Sequence, residues 1–252
     1  MAASRSLLGK VALITGASQG IGAATALHLA QLGAKVVINY SSNAKPAEEL
    51  VQKIGSDNAI AIKADAGNLR DIECLVNETL AWGGGKIDIL IPNAASGATG
   101  KGLDNTSEED FDKVVGLNVK GPYFLVQKAA PHMAPGSHIL LFSTSLTGLS
   151  QILPNYLLYV TTKGAVEQMT RVLAKDLGRK GIVVNAIAPG PTSTALFLDG
   201  KSEELIKTMA SWNPFNRLGT PEDIARTAGW LVGPDNTWVQ GQIIKTNGGM
   251  QL

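Results

Sequence analysis

Short apolar runs alternate along the chain with longer stretches of helical period. The runs are Val11–Thr15, Lys35–Asn39, Ala59–Lys63, Ile87–Pro92, His138–Ser143, Ile182–Ile187 and Gln242–Lys245. Between them, apolar residues recur every three or four positions over Ala23–Leu32, Ala47–Ile54, Ile72–Trp82, Phe111–Met133, Tyr159–Arg179 and Pro221–Val232. Continuous apolar runs suit strands covered on both faces, and strand–helix alternation with right-handed crossovers makes such a sheet doubly wound. The expectation is one α/β domain, residues 1–252, with a seven-stranded parallel sheet and helices on both faces. The rhythm breaks at 190–219, where prolines, glycines, a short amphipathic helix and aromatics predict a lid at a strand's carboxyl end.

The first run ends in TGASQGIG, with Gly16, Gly20 and Gly22 between strand and helix. Such a turn aims backbone N–H groups and a positive helix end at a pyrophosphate. Gly16 would permit the turn, Gly20 the close approach of the phosphate, and Gly22 the packing of helix on sheet. The spacing G-x-x-x-G-x-G differs from the G-x-G-x-x-G fingerprint of dinucleotide sites. The second run ends in Tyr40-Ser41-Ser42-Asn43, with no acid between Ala34 and Ala47. An acid there would hold both ribose hydroxyls of NAD and repel a 2′-phosphate, so its absence favours NADP.

Tyr159 and Lys163 are four residues apart, hence on one helical face. An ammonium beside a phenol stabilises the phenolate and lowers its pKa. Upstream, ILLFSTSLTG carries Ser143, Thr144 and Ser145 past the end of a buried run, at the sheet edge where ligands sit in open α/β folds.

These residues, with Asp65 of KADAGN, Asn93-Ala94-Ala95, Asn118 of LNVKG and Pro189-Gly190, fall in the order of the short-chain dehydrogenase/reductase family, which the chain resembles from about Leu8 to Gly249. The resemblance implies a Rossmann-type fold. It makes Tyr159 the general acid in reduction and Ser145 the residue that orients the carbonyl. Lys163 would hold the nicotinamide ribose and lower the Tyr159 pKa, and Asn118 would fix a water linking Lys163 to solvent. Cofactor contacts would come from Gly16, Ser18, Gln19, Gly20, Ile21 and Gly22, from Asp65 and Ala66 at the adenine, and from Asn93, Ala94 and Ala95. Pro189, Gly190, Thr192 and Thr194 would meet the nicotinamide amide or phosphates. Ala95 stands where the family usually has glycine. The nearest likeness is to fungal polyhydroxynaphthalene and versicolorin-type ketoreductases, then to 3-oxoacyl-carrier-protein reductases.

That likeness implies an NADPH-dependent ketoreductase for apolar or aromatic ketones, possible products of polyketide chemistry. Candidate pocket residues are Leu196, Phe197, Met209, Trp212 and Phe215 of the lid, with Ile152, Leu153 and Tyr156 before the catalytic helix. A 3-oxoacyl thioester reductase, an alcohol or steroid dehydrogenase working oxidatively, and an NADP-sensing regulator are the alternatives. A homotetramer is implied, or a dimer, with Phe111–Met133 and Tyr159–Leu177 as interface helices and Gly248–Leu252 reaching a neighbour.

Composition narrows the rest. The chain has 252 residues, 17% charged, with a net charge of +1, so no basic field draws it to nucleic acid or an anionic membrane. No apolar run nears the ~18 residues of a bilayer span, and MAASRSLLGK lacks a long apolar leader segment. Its single cysteine, Cys74, is expected to be a buried, inert side chain in a reducing compartment, the cytosol. His28, His132 and His138 lack ligand spacing, so no metal is expected.

Overall fold

The computed structural model describes residues 6–97 and 100–252; Met1–Arg5 of the N-terminal segment lie outside it. The strands are β1 (Val11–Ile14), β2 (Lys35–Tyr40), β3 (Ala59–Lys63), β4 (Ile89–Ile91), β5 (His138–Phe142), β6 (Val183–Pro189) and β7 (Ile243–Thr246). They form one sheet in the order β3-β2-β1-β4-β5-β6-β7, and every pairing is parallel. Alternate residues of each strand feed two cores. Val36 and Ile38 of β2 join Ile14, Ile91 and Phe142 on one face, while Val37 joins Leu13, Leu90 and Leu141 on the other.

The first face is covered by α1 (Gly20–Gln31), α2 (Lys45–Ile54) and α9 (Pro221–Leu231), which contribute Leu29, Leu50 and Leu231. The second is covered by α3 (Leu69–Gly83), α5 (Gly121–Ala129) and α6 (Leu157–Gly178), through Leu75, Leu125 and Val166. Capping chemistry sets several helix starts. The side chain of Asn68 accepts from the N–H groups of Arg70 and Asp71 to begin α3, and Thr220 with Asp223 forms a capping box ahead of α9.

The periodic stretch 111–133 is not one helix. It divides into α4 (Glu108–Val115), a π-helical turn at Gly116–Lys120, and α5, ending in a 3₁₀ turn at Ala130–His132. A Cβ on Gly121 would strike the Ala66 carbonyl, so glycine lets this helix approach the loop after β3. The region 190–219 carries two short helices, α7 (Ala195–Leu198) and α8 (Glu203–Ala210), where one was expected. Its two ends are pinned together: the N–H of Gly219 donates to Pro191 O at 2.9 Å, and that of Ser193 to Gly219 O at 2.8 Å.

One expectation needs correction. Cys74 is exposed, because α3 buries Ile72, Leu75, Val76 and Thr79, and Cys74 lies off that stripe. At the C-terminus, Gln251 Nε2 donates to Gly148 O at 2.8 Å. Among the described residues no helix is long and apolar enough to cross a membrane.

Candidate active site

β1 has β2 on one side and β4 on the other, so the chain reverses its direction of winding between β1 and β4. A crevice opens beyond the carboxyl ends of strands at such a point. Here it is a cleft of about 490 Å³, bordered by the loops that follow β1, β4, β5 and β6 and by the lid.

The glycine turn after β1 is built as a cradle. Gly16 has φ +60° and its added Cβ would stand 2.9 Å from Ala94 Cα; Gly20 has φ +57°. A Cβ on Gly22 would overlap the Gly16 carbonyl and come within 2.6 Å of Asn93 Nδ2. Gly22 therefore makes room for the turn itself and for Asn93, a closer packing than helix on sheet. Gln19 caps α1 without a side-chain bond, leaving the first helical N–H groups directed at the cleft. Ser18, Gln19 and Ile21 line it as well.

Two buried side chains hold this cradle. Thr15 Oγ1 accepts from the N–H groups of Asn93 at 3.0 Å and Ala94 at 3.1 Å. Asn39 Oδ1 accepts from Gly16 N at 3.2 Å, while Asn39 Nδ2 donates to Ala64 O at 2.9 Å. Sequence reading missed both. The one available signal was an amide near the end of a buried strand, which must find partners.

Of the four residues following the second run, Tyr40 and Ser41 line the cleft. Ser42 and Asn43 do not: Asn43 instead accepts from Lys45 N at 3.2 Å at the start of α2. Asp65, Ala66, Asn93, Ala94, Ala95, Pro189, Gly190, Thr192 and Thr194 all line it. Ala95 does not have a positive φ, so its backbone does not require the glycine.

At the other end stand Ser145, Tyr159 and Lys163. Ser145 is buried in a 3₁₀ turn, Ser145–Gly148, and its Oγ donates to Ala188 O at 2.9 Å. Lys163 is 4% exposed, its Nζ donates to Phe142 O at 2.8 Å, and burial lowers its pKa to about 8. The ammonium lies 5.8 Å from the centre of the Tyr159 ring. Burial pushes the Tyr159 phenol above its ordinary pKa, against an opposing hydrogen bond from Thr144. Loss of water thus outweighs that hydrogen bond, and a lowered Tyr159 pKa is not the net effect in this chain alone.

Asn118 sits on the π-helical turn, nearly fully buried. Both its amide protons are used: Nδ2 donates to Ser96 O and to Thr162 Oγ1, each at 3.0 Å. Thr162 donates in turn to Tyr159 O at 2.7 Å. The side chain braces the loop after β4 against α6.

Leu196, Phe197, Met209, Trp212 and Tyr156 form an apolar wall of the cleft. Ile152 is half-buried outside it, Leu153 is 60% exposed, and Phe215 borders a separate pocket with Arg217. Those three are not part of the wall. Among the described residues no group of three or more His, Cys, Asp or Glu could hold a metal ion.

A family model described as "Enoyl-(Acyl carrier protein) reductase" matches residues 16–251. This chain belongs to the short-chain dehydrogenase/reductase family. It is an oxidoreductase by that membership. It is 41% identical to a hydroxynaphthalene reductase-like protein, Arp2, of Metarhizium guizhouense, over 97% of this chain and 96% of that one. Among solved structures it resembles a short-chain dehydrogenase of Burkholderia cenocepacia in complex with NADP, with a TM-score of 0.91, 33% identity, and 97% and 99% of the two chains covered. It also resembles the angucycline C-6 ketoreductase LanV with bound NADP, with a TM-score of 0.90, 34% identity, and 97% and 96% coverage.

Proposed function

We propose that this protein is an NADPH-dependent ketoreductase acting on apolar or aromatic ketones. The observation that carries the reading is one cleft in which Ser145, Tyr159 and Lys163 face an apolar lid wall, with an anion cradle at its far end. The cradle fits a dinucleotide: two of its glycines have positive φ, a third has no space for a Cβ, and the helix N–H groups lack side-chain caps. Gly16, Gly20 and Gly22 would hold the pyrophosphate, Asp65 and Ala66 would border the adenine, and Thr192 and Thr194 would meet the nicotinamide end. Tyr40 and Ser41, with no acid beside them, favour a 2′-phosphate. Bound there, the reduced nicotinamide supplies the hydride.

The chain's own residues do the rest. Tyr159 stays protonated at neutral pH and gives its proton to the developing alkoxide oxygen. Ser145 turns its hydroxyl from Ala188 O to the same oxygen, and the Lys163 ammonium adds positive charge in a dry site. Asn118 keeps Tyr159's helix in place through Thr162. The likeness to a hydroxynaphthalene reductase-like protein and to an angucycline ketoreductase supports the substrate class.

The test follows NADPH oxidation against quinones, cyclic ketones, and 3-oxoacyl and enoyl thioesters, with Tyr159→Phe as the control. Turnover on ring ketones that disappears in the variant upholds the reading. Turnover on thioesters alone replaces the substrate class, and NADPH binding with no turnover on any of them points to a sensor. We further propose a cytosolic homotetramer. Phe111, Tyr123, Leu157 and Val172, each 47–59% exposed on α4, α5 and α6, are apolar surface for its interface. Light scattering at a monomer mass would overturn it.

A further inference from the structure

One more group on α6 faces the catalytic serine turn. Glu167 follows Lys163 by four residues and Tyr159 by eight, so the three share a face of the helix. Its side chain is only 15% exposed. A single oxygen, Oε1, accepts from Ser143 Oγ at 2.8 Å and from Thr147 Oγ1 at 2.6 Å. The other oxygen meets exposed Arg171 at 3.4 Å. Thr147 Oγ1 also lies 2.8 Å from Thr144 O, and its one proton goes to the stronger acceptor, the carboxylate.

Ser143 and Thr147 bracket Ser145, two residues to either side. One carboxylate oxygen therefore ties both ends of the segment that carries the serine. Lys163 adds a third tie, to Phe142 O at 2.8 Å. All three originate on α6, the helix that carries Tyr159. The Ser145 hydroxyl and the Tyr159 phenol must reach the same substrate oxygen, and they come from different elements. Their separation is set by how firmly the serine turn is held to α6.

We propose that Glu167 is a positioning residue that holds the Ser145 turn in register with Tyr159 through Oε1. This rests on the reductase reading above. Because Oε1 does the holding, geometry matters more than charge. A glutamine can place its amide oxygen in the same position and accept from both hydroxyls.

The experiment compares Glu167→Ala, Glu167→Gln, Thr147→Val and Arg171→Ala in the full chain. Ketone turnover, NADPH affinity by fluorescence, and hydrogen exchange over residues 143–149 are the readouts. Loosening a reacting group by ~1 Å can lower turnover about a hundredfold, so Glu167→Ala should lose about ten- to a hundredfold in kcat with KM and NADPH affinity within about threefold. Its exchange protection should fall in 143–149. Glu167→Gln and Arg171→Ala should keep kcat and protection near the parent's, and Thr147→Val should fall between. The proposal is overturned if Glu167→Ala keeps parent kcat and protection, or if Glu167→Gln loses as much as Glu167→Ala. It is equally overturned if NADPH affinity collapses together with kcat, the mark of a general structural role. Should Glu167→Ala not fold, Thr147→Val decides, with parent kcat and protection overturning the proposal. Persistent turnover in Tyr159→Phe would refute the reductase reading instead, and the exchange data would still judge the clamp.

Discussion

Replacing Gly22 with alanine tests the cradle most directly. The new Cβ would overlap the Gly16 carbonyl, and would stand 2.6 Å from Asn93 Nδ2 and 3.0 Å from Ala17 Cα. Two of those three neighbours are backbone and cannot swing aside. The third, Asn93 Nδ2, donates to Thr15 O at 2.9 Å and Gly16 O at 3.0 Å, and would be pushed off both. Overpacking costs about 2 kcal/mol and each lost hydrogen bond about 1 kcal/mol, giving about 4 kcal/mol in all. In a chain of this size that lowers the melting midpoint by about 8–16 °C. Circular dichroism against temperature reads it, with Gly164→Ala as the control. Gly164 is exposed within α6 and its added methyl meets nothing within 4 Å, so that variant should gain about 0.5–1 kcal/mol. NADPH affinity of Gly22→Ala should also drop. A Gly22→Ala protein that melts within about 2 °C of the parent would refute the argument, since it would mean that the turn can relax around a methyl group.

Tyr159→Phe should lower kcat by about 10²–10⁴-fold, measured by NADPH oxidation, while NADPH fluorescence titration stays unchanged. Lys163, charged below about pH 8, should give a kcat/KM that is flat at lower pH and falls above that value. Its folded pKa lies below the usual 10.5, so folding is least favoured by this group below about pH 8 and gains as pH rises toward 10.5; denaturant titrations of Lys163→Met against the parent would isolate the term. Asn39→Ala leaves Gly16 N and Ala64 O without partners and should cost about 2–3 kcal/mol in urea unfolding and weaken NADPH binding. Trp212→Ala should raise KM for ring ketones and leave NADPH affinity unchanged; equal KM values would remove Trp212 from the pocket.

The seven strands were legible because parallel strands buried on both faces leave unbroken apolar runs, and each observed strand overlaps its expected run. Boundaries moved where a polar residue took another task. The fourth run starts at Ile87, but β4 begins at Ile89 because Asp88 accepts from Val11 N at 2.9 Å and pairs with Lys10 and Lys86. The division of 111–133 had one visible sign in Pro122, which has no N–H to donate and stands in the first turn of α5. The glycine turn, Ser145, Tyr159 and Lys163 were legible as a group and do line one cleft. Thr15, Asn39 and Glu167 were not, because what makes them important is a partner 20 to 79 residues away. The missed exposure of Cys74 is of another kind: its neighbours at 72, 75, 76 and 79 already mark a buried stripe that leaves it out.

That exposed cysteine has a practical consequence. It is the single thiol in the chain, on the outer side of a helix that takes no part in the cleft. A maleimide fluorophore would attach at one known point without any prior cysteine removal. Energy transfer between that dye and nicotinamide fluorescence would then report cofactor arrival and departure in real time, on the unmutated enzyme.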